Sequence, residues 1–300
     1  MSLVVVGSVA IDNIISPEGR KDNSMGGSAC YFSCAASYFV PVNFVGIIGR
    51  DYPEEYLDLL RSKNISLEGL EVVDGESFRW TGEYSADFTS VETHNLALNV
   101  FEQFDPILPD SYRQSEFVFL ANIDPILQMK VMNQVKNPRL VVMDTMDFWI
   151  KTRRKELLEM IKRVDILILN DGEARMLSEE HSLIKAAKIL LQWGPKKVIV
   201  KRGEHGAFLI DNEGELFSIP AYPVEKVIDT TGAGDSFAGG FMGHITKAGT
   251  LNKETFRVAM VYGISLSSFT VEGFSLDRLS KITLQDREER FGRLKEMTTF

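Results

Sequence analysis

The residues richest in possible chemistry are Asp229-Thr230-Thr231-Gly232-Ala233-Gly234-Asp235-Ser236-Phe237, which run into the apolar, glycine-spotted Ala238-Gly239-Gly240-Phe241-Met242. Two glycines around a small alanine let backbone N–H groups converge on one point. A helix starting there adds its positive end, and the combination suits an anion with several oxygens. A carboxylate at Asp235 would repel bare phosphate unless it has another task. The task that fits is taking the proton from a hydroxyl that attacks phosphorus. The plainer reading is a glycine turn capped by Asp, but the full run is far more specific than Gly-x-Gly alone.

Other phosphate-binding and metal patterns are missing. There is no Gly-x-x-x-x-Gly-Lys-Ser/Thr, and Phe237 stands where a dinucleotide fingerprint would place its third glycine. The loop also lies near the C-terminus instead of after a first strand, which disfavours a nicotinamide oxidoreductase. His94, His181, His205 and His244 are dispersed, with no zinc-ligand spacing.

The elements that must position this turn alternate short apolar runs with longer amphipathic ones, as βα units on a mainly parallel sheet do. Strands are expected at 3–7, 42–48, 117–121, 140–143, 164–169 and 198–201. A hairpin is expected at 207–210 and 215–220. Helices are expected at 28–39, 53–63, 154–163, 183–193, 236–246, 255–269 and about 284–297. Two stretches, 11–21 and 78–101, alternate at period two like half-exposed antiparallel strands. They read as a small sheet that leaves the main domain and returns, a lid beside a cleft. The whole chain, 1–300, thus reads as a single domain with lid strands inserted at about 11–25 and 76–102.

Composition bounds the partners. The 300 residues hold 33 Lys and Arg against 42 Asp and Glu, a net charge of −9, which speaks against sequence-independent nucleic-acid binding. Cys30 and Cys34, the only cysteines, exclude a disulfide framework and read as core residues of a protein in a reducing compartment, the cytoplasm. No secretory signal is evident, and the uncharged run 24–49, broken by Pro41, reads as buried core instead of a membrane span. Arg287-Glu288-Glu289-Arg290 reads as a wet helix face.

Taken together, these motifs resemble the PfkB (ribokinase-like) family of carbohydrate and nucleoside kinases. The run 229–235 is similar to that family's C-terminal signature. The stretch from Gly26-Gly27 through Val45-Gly46-Ile47-Ile48-Gly49-Arg50-Asp51 is similar to its N-terminal one. Asn170-Asp171-Gly172-Glu173 resembles its Asn-x-x-Glu element, Gly203-Glu204-His205-Gly206 its nucleotide-site turn, and Gly7-Ser8-Val9-Ala10-Ile11-Asp12 its first strand with a substrate-binding Asp. The resemblance implies a Rossmann-like αβα sandwich with a mainly parallel central sheet and a small β lid. It also implies transfer of the ATP γ-phosphoryl group to an alcohol. Asp235 would be the base, and Gly232, Ala233 and Gly234 the anion hole. Asn170, Thr230, Lys201, Gly203 and Gly206 would line the nucleotide side. Glu173 would act on Mg²⁺ through water, with Asn170 beside it. Asp12, Gly26, Gly27 and Tyr31 would face the acceptor, the glycine pair also acting at the lid hinge. Asp229 and Thr231 match where relatives hold a monovalent cation such as K⁺. The family also allows a homodimer through the lid, whose exposed strand edges would permit it.

Several of these residues have structural readings as well. Asn170 could be an N-cap and Glu173 its capping-box partner. Lys201 could be a solvated strand end, Asp12-Asn13 the start of a turn, and Gly26-Gly27 a turn before a helix. The chain departs from the family pattern at Tyr31, where relatives acting on ribose carry Asn. It departs again at Asp144-Thr145-Met146-Asp147-Phe148-Trp149, which lacks the Arg of many sugar kinases. Without that bidentate cation a phosphorylated or carboxylated acceptor is disfavoured. Tyr31, Phe32, Phe148 and Trp149 could stack a base or a sugar face. The expectation is an ATP-dependent sugar kinase. The alternatives are a nucleoside kinase of the same family and a non-catalytic sugar- or nucleotide-sensing protein on this fold.

Overall fold

The computed structural model describes residues 1–299. Its strands are β1 (Leu3–Val6), β2 (Ala10–Ser16), β3 (Gly19–Gly26), β4 (Val42–Gly49), β5 (Ile65–Val73), β6 (Phe78–Tyr84), β7 (Val91–Ala97), β8 (Phe117–Leu120), β9 (Leu140–Asp144), β10 (Ile166–Asn170), β11 (Lys197–Lys201), β12 (Ala207–Asp211) and β13 (Leu216–Ile219). Nine of them form one sheet in the order β13-β12-β11-β10-β9-β8-β1-β4-β5. The run from β5 to β11 is parallel throughout, and the β12–β13 hairpin closes one edge antiparallel.

Both faces of this sheet are covered. Along β1, Leu3 and Val5 point into one apolar core and Val4 and Val6 into the other. That period-two split requires helices on both sides of a parallel sheet. Helices Ser28–Ala36, Ala233–Ala248 and Lys253–Thr270 pack on the first face, and Pro125–Met132, Arg154–Ile161, Asp171–Ser178 and Leu183–Leu191 on the second. Helix Ala233–Ala248 is mostly buried, and its glycines are where neighbours come closest. A β-carbon at Gly239 or Gly243 would meet the backbone of helix Ser28–Ala36.

The smaller sheet has the order β3-β2-β6-β7. Its two hairpins are antiparallel within themselves, as the alternation predicts, but β2 and β6 join them in parallel, Ala10 beside Phe78 and Ile15 beside Glu83. The physical reason is that both strands rise from the same edge of the main sheet, so they run in the same direction. The base of β6 is pinned to the body: Asp51 Oδ1 accepts from Ser77 N and Ser77 Oγ, both at 2.7 Å, and Oδ2 from Arg79 at 2.7 Å. The β2–β3 hairpin is tied down through Lys226–Glu18 at 2.6 Å and Ser16 Oγ to the Ile228 carbonyl at 2.7 Å.

Some expectations are corrected here. Strand β5 was absent from the sequence pattern because Glu68 and Glu71 interrupt its apolar positions along an edge strand. The helix of the glycine motif starts at Ala233, not at 236, so the turn itself forms its first residues. Arg287 is not on a wet face: it is 5% exposed, donates to the Tyr38 carbonyl, and lies over the rings of Phe39 and Tyr262. Cys30 and Cys34 are buried free thiols, and burial pushes both up to about 12. Among the described residues no helix is long and apolar enough to cross a membrane. The run 24–49 contains helix Ser28–Ala36 and strand β4.

Candidate active site

Parallel strands deliver their last residues to one edge of a sheet, where open α/β folds bind ligands. Here Gly7 and Ser8 follow β1, Asp144 ends β9, Asn170 ends β10 and Lys201 ends β11, with Asn170 and Lys201 in register. The glycine turn and the base of the lid face that edge. The loop after β1 is fixed to the next helix by a double exchange: Ser28 N donates to Ser8 Oγ at 3.0 Å, and Ser8 N donates to Ser28 Oγ at 3.2 Å.

At the glycine turn, Gly232 adopts φ 73°, and a β-carbon there would collide with the ring of Tyr31. The Ala233 amide donates to the Thr230 carbonyl at 3.2 Å. The Gly234 and Asp235 amides, in the first turn of helix Ala233–Ala248, meet no acceptor from another residue among the described ones. These are orphan donors of a helix start, available to an anion. Asp235 is half-buried and makes no hydrogen bond to another side chain. Burial, then the Asp144 carboxylate, push it up to about 7 against the pull of Lys201. That value suits a proton acceptor working near neutrality.

Asp12 is a second carboxylate without a partner. It is 4% exposed, lies against the Cα of Gly26, and is pushed up to about 8 by burial and by Asp229 and Asp235. An unpaired buried carboxylate is costly unless a ligand donates to it. Gly27 adopts φ 92°, and a β-carbon there would collide with the Ser8 carbonyl, so the pair can bring helix Ser28–Ala36 close to the β1 loop. Tyr31 is 1% exposed, and its hydroxyl makes no hydrogen bond of acceptable geometry. Phe32 is fully buried and stacks on Phe119, whereas Phe148 is 47% exposed and meets Trp149 edge-on. Trp149 donates its indole N–H to Asn122 Oδ1 at 2.9 Å, just past the end of β8.

On the other side, Asn170 and Glu173 form a reciprocal capping box: Glu173 N donates to Asn170 Oδ1 at 2.8 Å, and Asn170 N to Glu173 Oε2 at 2.6 Å. The second Glu173 oxygen has no such bond. Burial pushes this carboxyl up; Lys201 opposes the push and Asp144 adds to it. Gly203 and Gly206 both adopt positive φ, 53° and 81°, around a short turn after β11. Asp229 is buried; its Oδ1 accepts from the Thr231 amide at 2.8 Å and its Oδ2 from the Ser275 amide at 2.9 Å. Thr230 offers its carbonyl to Ala233, and the Thr231 hydroxyl lies 2.9 Å from that of Tyr84 in the lid.

The structure therefore gathers Asp12, Asp229, Asp235, Tyr31 and the two glycine turns in one place, with Lys201, Glu173 and Asn170 beside them. Sequence reasoning missed two neighbours of this group. Asp144 binds Lys201 at 2.9 Å across strand β10, and Tyr84 reaches the turn from the lid. Tyr84 lies in no short motif, and the family pattern that begins at Asp144 drew attention to its missing Arg and not to Asp144 itself. The signal that pointed to their contacts was placement, at a strand end and at the tip of a period-two strand.

Residues 1–275 match the pfkB family carbohydrate kinase pattern. The chain is 34% identical over 253 residues to the cytidine kinase of Thermococcus kodakarensis, which covers 81% of this chain and 87% of that one. It is 25% identical over 308 residues to the ribokinase of Lactococcus lactis, covering 95% and 96%. A solved structure provisionally described as ribokinase II of Escherichia coli, in complex with ATP and Mg²⁺, shares the fold with a TM-score of 0.78. It is 18% identical and covers 97% of this chain and 99% of that one.

Proposed function

This chain belongs to the pfkB family of carbohydrate kinases, and from that premise we propose that it transfers the γ-phosphoryl group of ATP to a ribonucleoside hydroxyl, with Asp235 as the base. The phosphotransferase class with an alcohol acceptor follows from the family. The acceptor and the residue roles are the proposal. The observation that carries it is an unpartnered carboxylate beside the free amides of Gly234 and Asp235.

In this reading, Asp12 accepts hydrogen bonds from acceptor hydroxyls and fixes their orientation. Gly26 and Gly27 let the backbone approach, and Tyr31 backs the turn. Asp235 removes the proton from the attacking hydroxyl. The free amides of Gly234 and Asp235, with the helix start behind them, steady the charge on the moving group, while the expected Ala233 donor is taken up by the Thr230 carbonyl. Such transfers depend on positioning and charge neutralisation more than on covalent help from the protein. Thr230, Asn170, Gly203 and Gly206 flank the nucleotide.

Among the described residues no three His, Cys, Asp or Glu side chains cluster as a metal cage. The Glu173 carboxylate, only one oxygen of which is taken up by the capping box, fits Mg²⁺, which keeps most of its waters and binds through few protein oxygens. Glu173, with one oxygen free, would hold such a hydrated ion, which when bound neutralises phosphate charge. Asp229 and Thr231 would serve a monovalent cation, tested by the dependence of turnover on K⁺.

A nucleoside is favoured over a free sugar by the 34% identity to a cytidine kinase and by exposed Phe148, edge-on to the half-buried Trp149 and able to stack a base. Ribose is the second reading, favoured by the ribokinase of L. lactis. The test is ADP release with cytidine, uridine, adenosine, inosine, ribose and fructose. Turnover highest with a nucleoside supports the proposal. Turnover confined to free sugars overturns the acceptor, and no ADP release with any alcohol overturns the enzyme reading. The outward edge of β7 is exposed, so we place any homodimer contact on the lid, to be checked by light scattering.

A further inference from the structure

Lys201 and Asp144 carry an inference that rests on the kinase reading and goes beyond it. The two glycines of the turn serve different ends. Gly232 needs its positive φ, but Gly234 is helical, a conformation open to any residue. What a β-carbon at Gly234 would meet is Lys201 Nζ, at 2.8 Å, with Cε at 3.6 Å and Cδ at 3.7 Å. The lysine stem therefore lies across the turn with its ammonium beside the free amides.

That ammonium is held in place. Its 2.9 Å bond to Asp144 Oδ2 crosses from β11 over β10 to the end of β9. The Asp144 carboxylate is itself fixed: Oδ1 accepts from the Thr145 amide at 2.8 Å. Gln128, buried, donates to the carbonyls of Asp144 at 3.1 Å and Ala121 at 2.9 Å and so pins the strand ends that carry it. Both members of the ion pair are buried or nearly so, with side-chain exposures of 17% and 5%. A buried ion pair is poor value as a stabiliser, since desolvation of both charges offsets much of their attraction. Its neighbours include Glu173 and Asp235, so Lys201 is the cation set among three carboxyl groups, two of which burial pushes toward the neutral form. A polyanion entering such a site needs a fixed cation.

We propose that Lys201 is a catalytic residue that contacts a non-bridging oxygen of the phosphoryl group in transfer, and that Asp144 is its positioning residue. Lys201 stays protonated throughout. The bond that forms joins the acceptor oxygen to the γ-phosphorus, the bond that breaks joins that phosphorus to the β–γ bridging oxygen, and the hydroxyl proton goes to Asp235. The ammonium lies ready where charge develops, so no reorganisation is required during the step.

The test uses the whole chain and three variants, Lys201→Met, Asp144→Asn and the double variant, once the wild type has shown ADP release with a nucleoside or sugar. Removing a preorganised charge-stabilising donor lowers kcat by about 100-fold or more, so Lys201→Met should lose about that much with the acceptor KM little changed. Asp144→Asn should lose less, and the double variant should turn over no more slowly than Lys201→Met alone. The second readout is the preference for ATP over ATP carrying sulfur on the γ-phosphate, which should shrink in both single variants. A merely structural ion pair lowers the melting temperature and leaves that preference at the wild-type value. That result, or losses that multiply in the double variant, overturns the proposal. If Lys201→Met does not fold, the sulfur preference of Asp144→Asn decides alone. A wild type that releases no ADP with any alcohol brings down the kinase reading and this inference with it, whereas an active wild type with an equally active Lys201→Met brings down the inference only.

Discussion

The hydroxyl of Tyr84, the last residue of lid strand β6, lies 2.9 Å from the hydroxyl of Thr231, next to the glycine turn. This joins the smaller sheet to the part that would hold phosphate. The β2–β3 hairpin is already tied to the body through Lys226–Glu18 and Ser16, and the base of β6 through Asp51. The β6 tip is thus the part of the smaller sheet that would move if the sheet closes over an acceptor, and the two hydroxyls would then act as its latch.

Replacing Tyr84 by Phe deletes that bond and keeps the ring, which lies near Phe88. A neutral hydrogen bond contributes about 1 kcal/mol net, so the acceptor KM should rise roughly two- to tenfold by the same measure while kcat changes little. Initial rates at varied acceptor concentration check this. An unchanged KM would show that the contact does not govern closure.

Asp12 and Asp235 make stability depend on pH in a direction opposite to that of a salt-bridged carboxylate. Asp12 rises from its ordinary 3.8 to about 8, and burial is the main cause; Asp235 rises to about 7 for the same main cause. Between the unfolded and folded values the folded protein binds more protons than the unfolded chain, so stability falls as pH increases through that window. Without ligands, the melting temperature should decline from about pH 5 to about pH 8. Asp12→Asn should flatten the upper part of the decline. A decline of the same slope in Asp12→Asn would mean that its carboxylate ionises freely in the folded state.

How much of this was legible in the sequence depended on whether a residue's partner lay nearby in the chain. The parallel strands could be read because apolar runs such as those at 3–6 and 166–169 are short, buried on both faces and spaced by helices. The glycine turn could be read because its residues act on one another within seven positions. Strand β5 could not, since as an edge strand it mixes Glu with its apolar residues. Nor could the parallel joining of β2 to β6, because period-two alternation fixes which side faces out and not which strand pairs with which. Asn170 and Glu173 show the limit most sharply. Their spacing matches a capping box and a metal-side element equally well, and in the structure the capping box is formed while one carboxylate oxygen stays free. Lys201 looked like a solvated strand end because Asp144 lies 57 positions away.

The turn makes a stability prediction at Gly232. Ala there would have to adopt a φ near 73° and push into the Tyr31 ring. The left-handed conformation alone costs a non-glycine residue about 1–2 kcal/mol, and the collision adds to it. Gly232→Ala should therefore lower the urea midpoint by at least that equivalent. Tyr31→Phe removes a buried hydroxyl without a hydrogen bond and should leave stability unchanged or slightly raised. A strongly destabilised Tyr31→Phe would show that the hydroxyl has a partner in solution.

Asp235→Asn separates chemistry from folding. The carboxylate makes no ion pair, and burial raises it to about 7, so an uncharged amide of the same shape relieves a desolvation cost and leaves no partner stranded. The variant should melt at or above the wild-type temperature. Its turnover should fall 10²- to 10⁴-fold, roughly the contribution of a positioned general base. The loss should appear in kcat with the ATP KM nearly unchanged, because the free amides of the turn remain. The raised value also predicts that wild-type kcat/KM climbs with pH until Asp235 is ionised, near 7, and that the residual rate of Asp235→Asn lacks this climb. A variant that keeps near-normal turnover, or that loses activity only by unfolding, assigns the proton acceptor to another group, with Asp12, the other buried carboxylate without a partner, the next candidate.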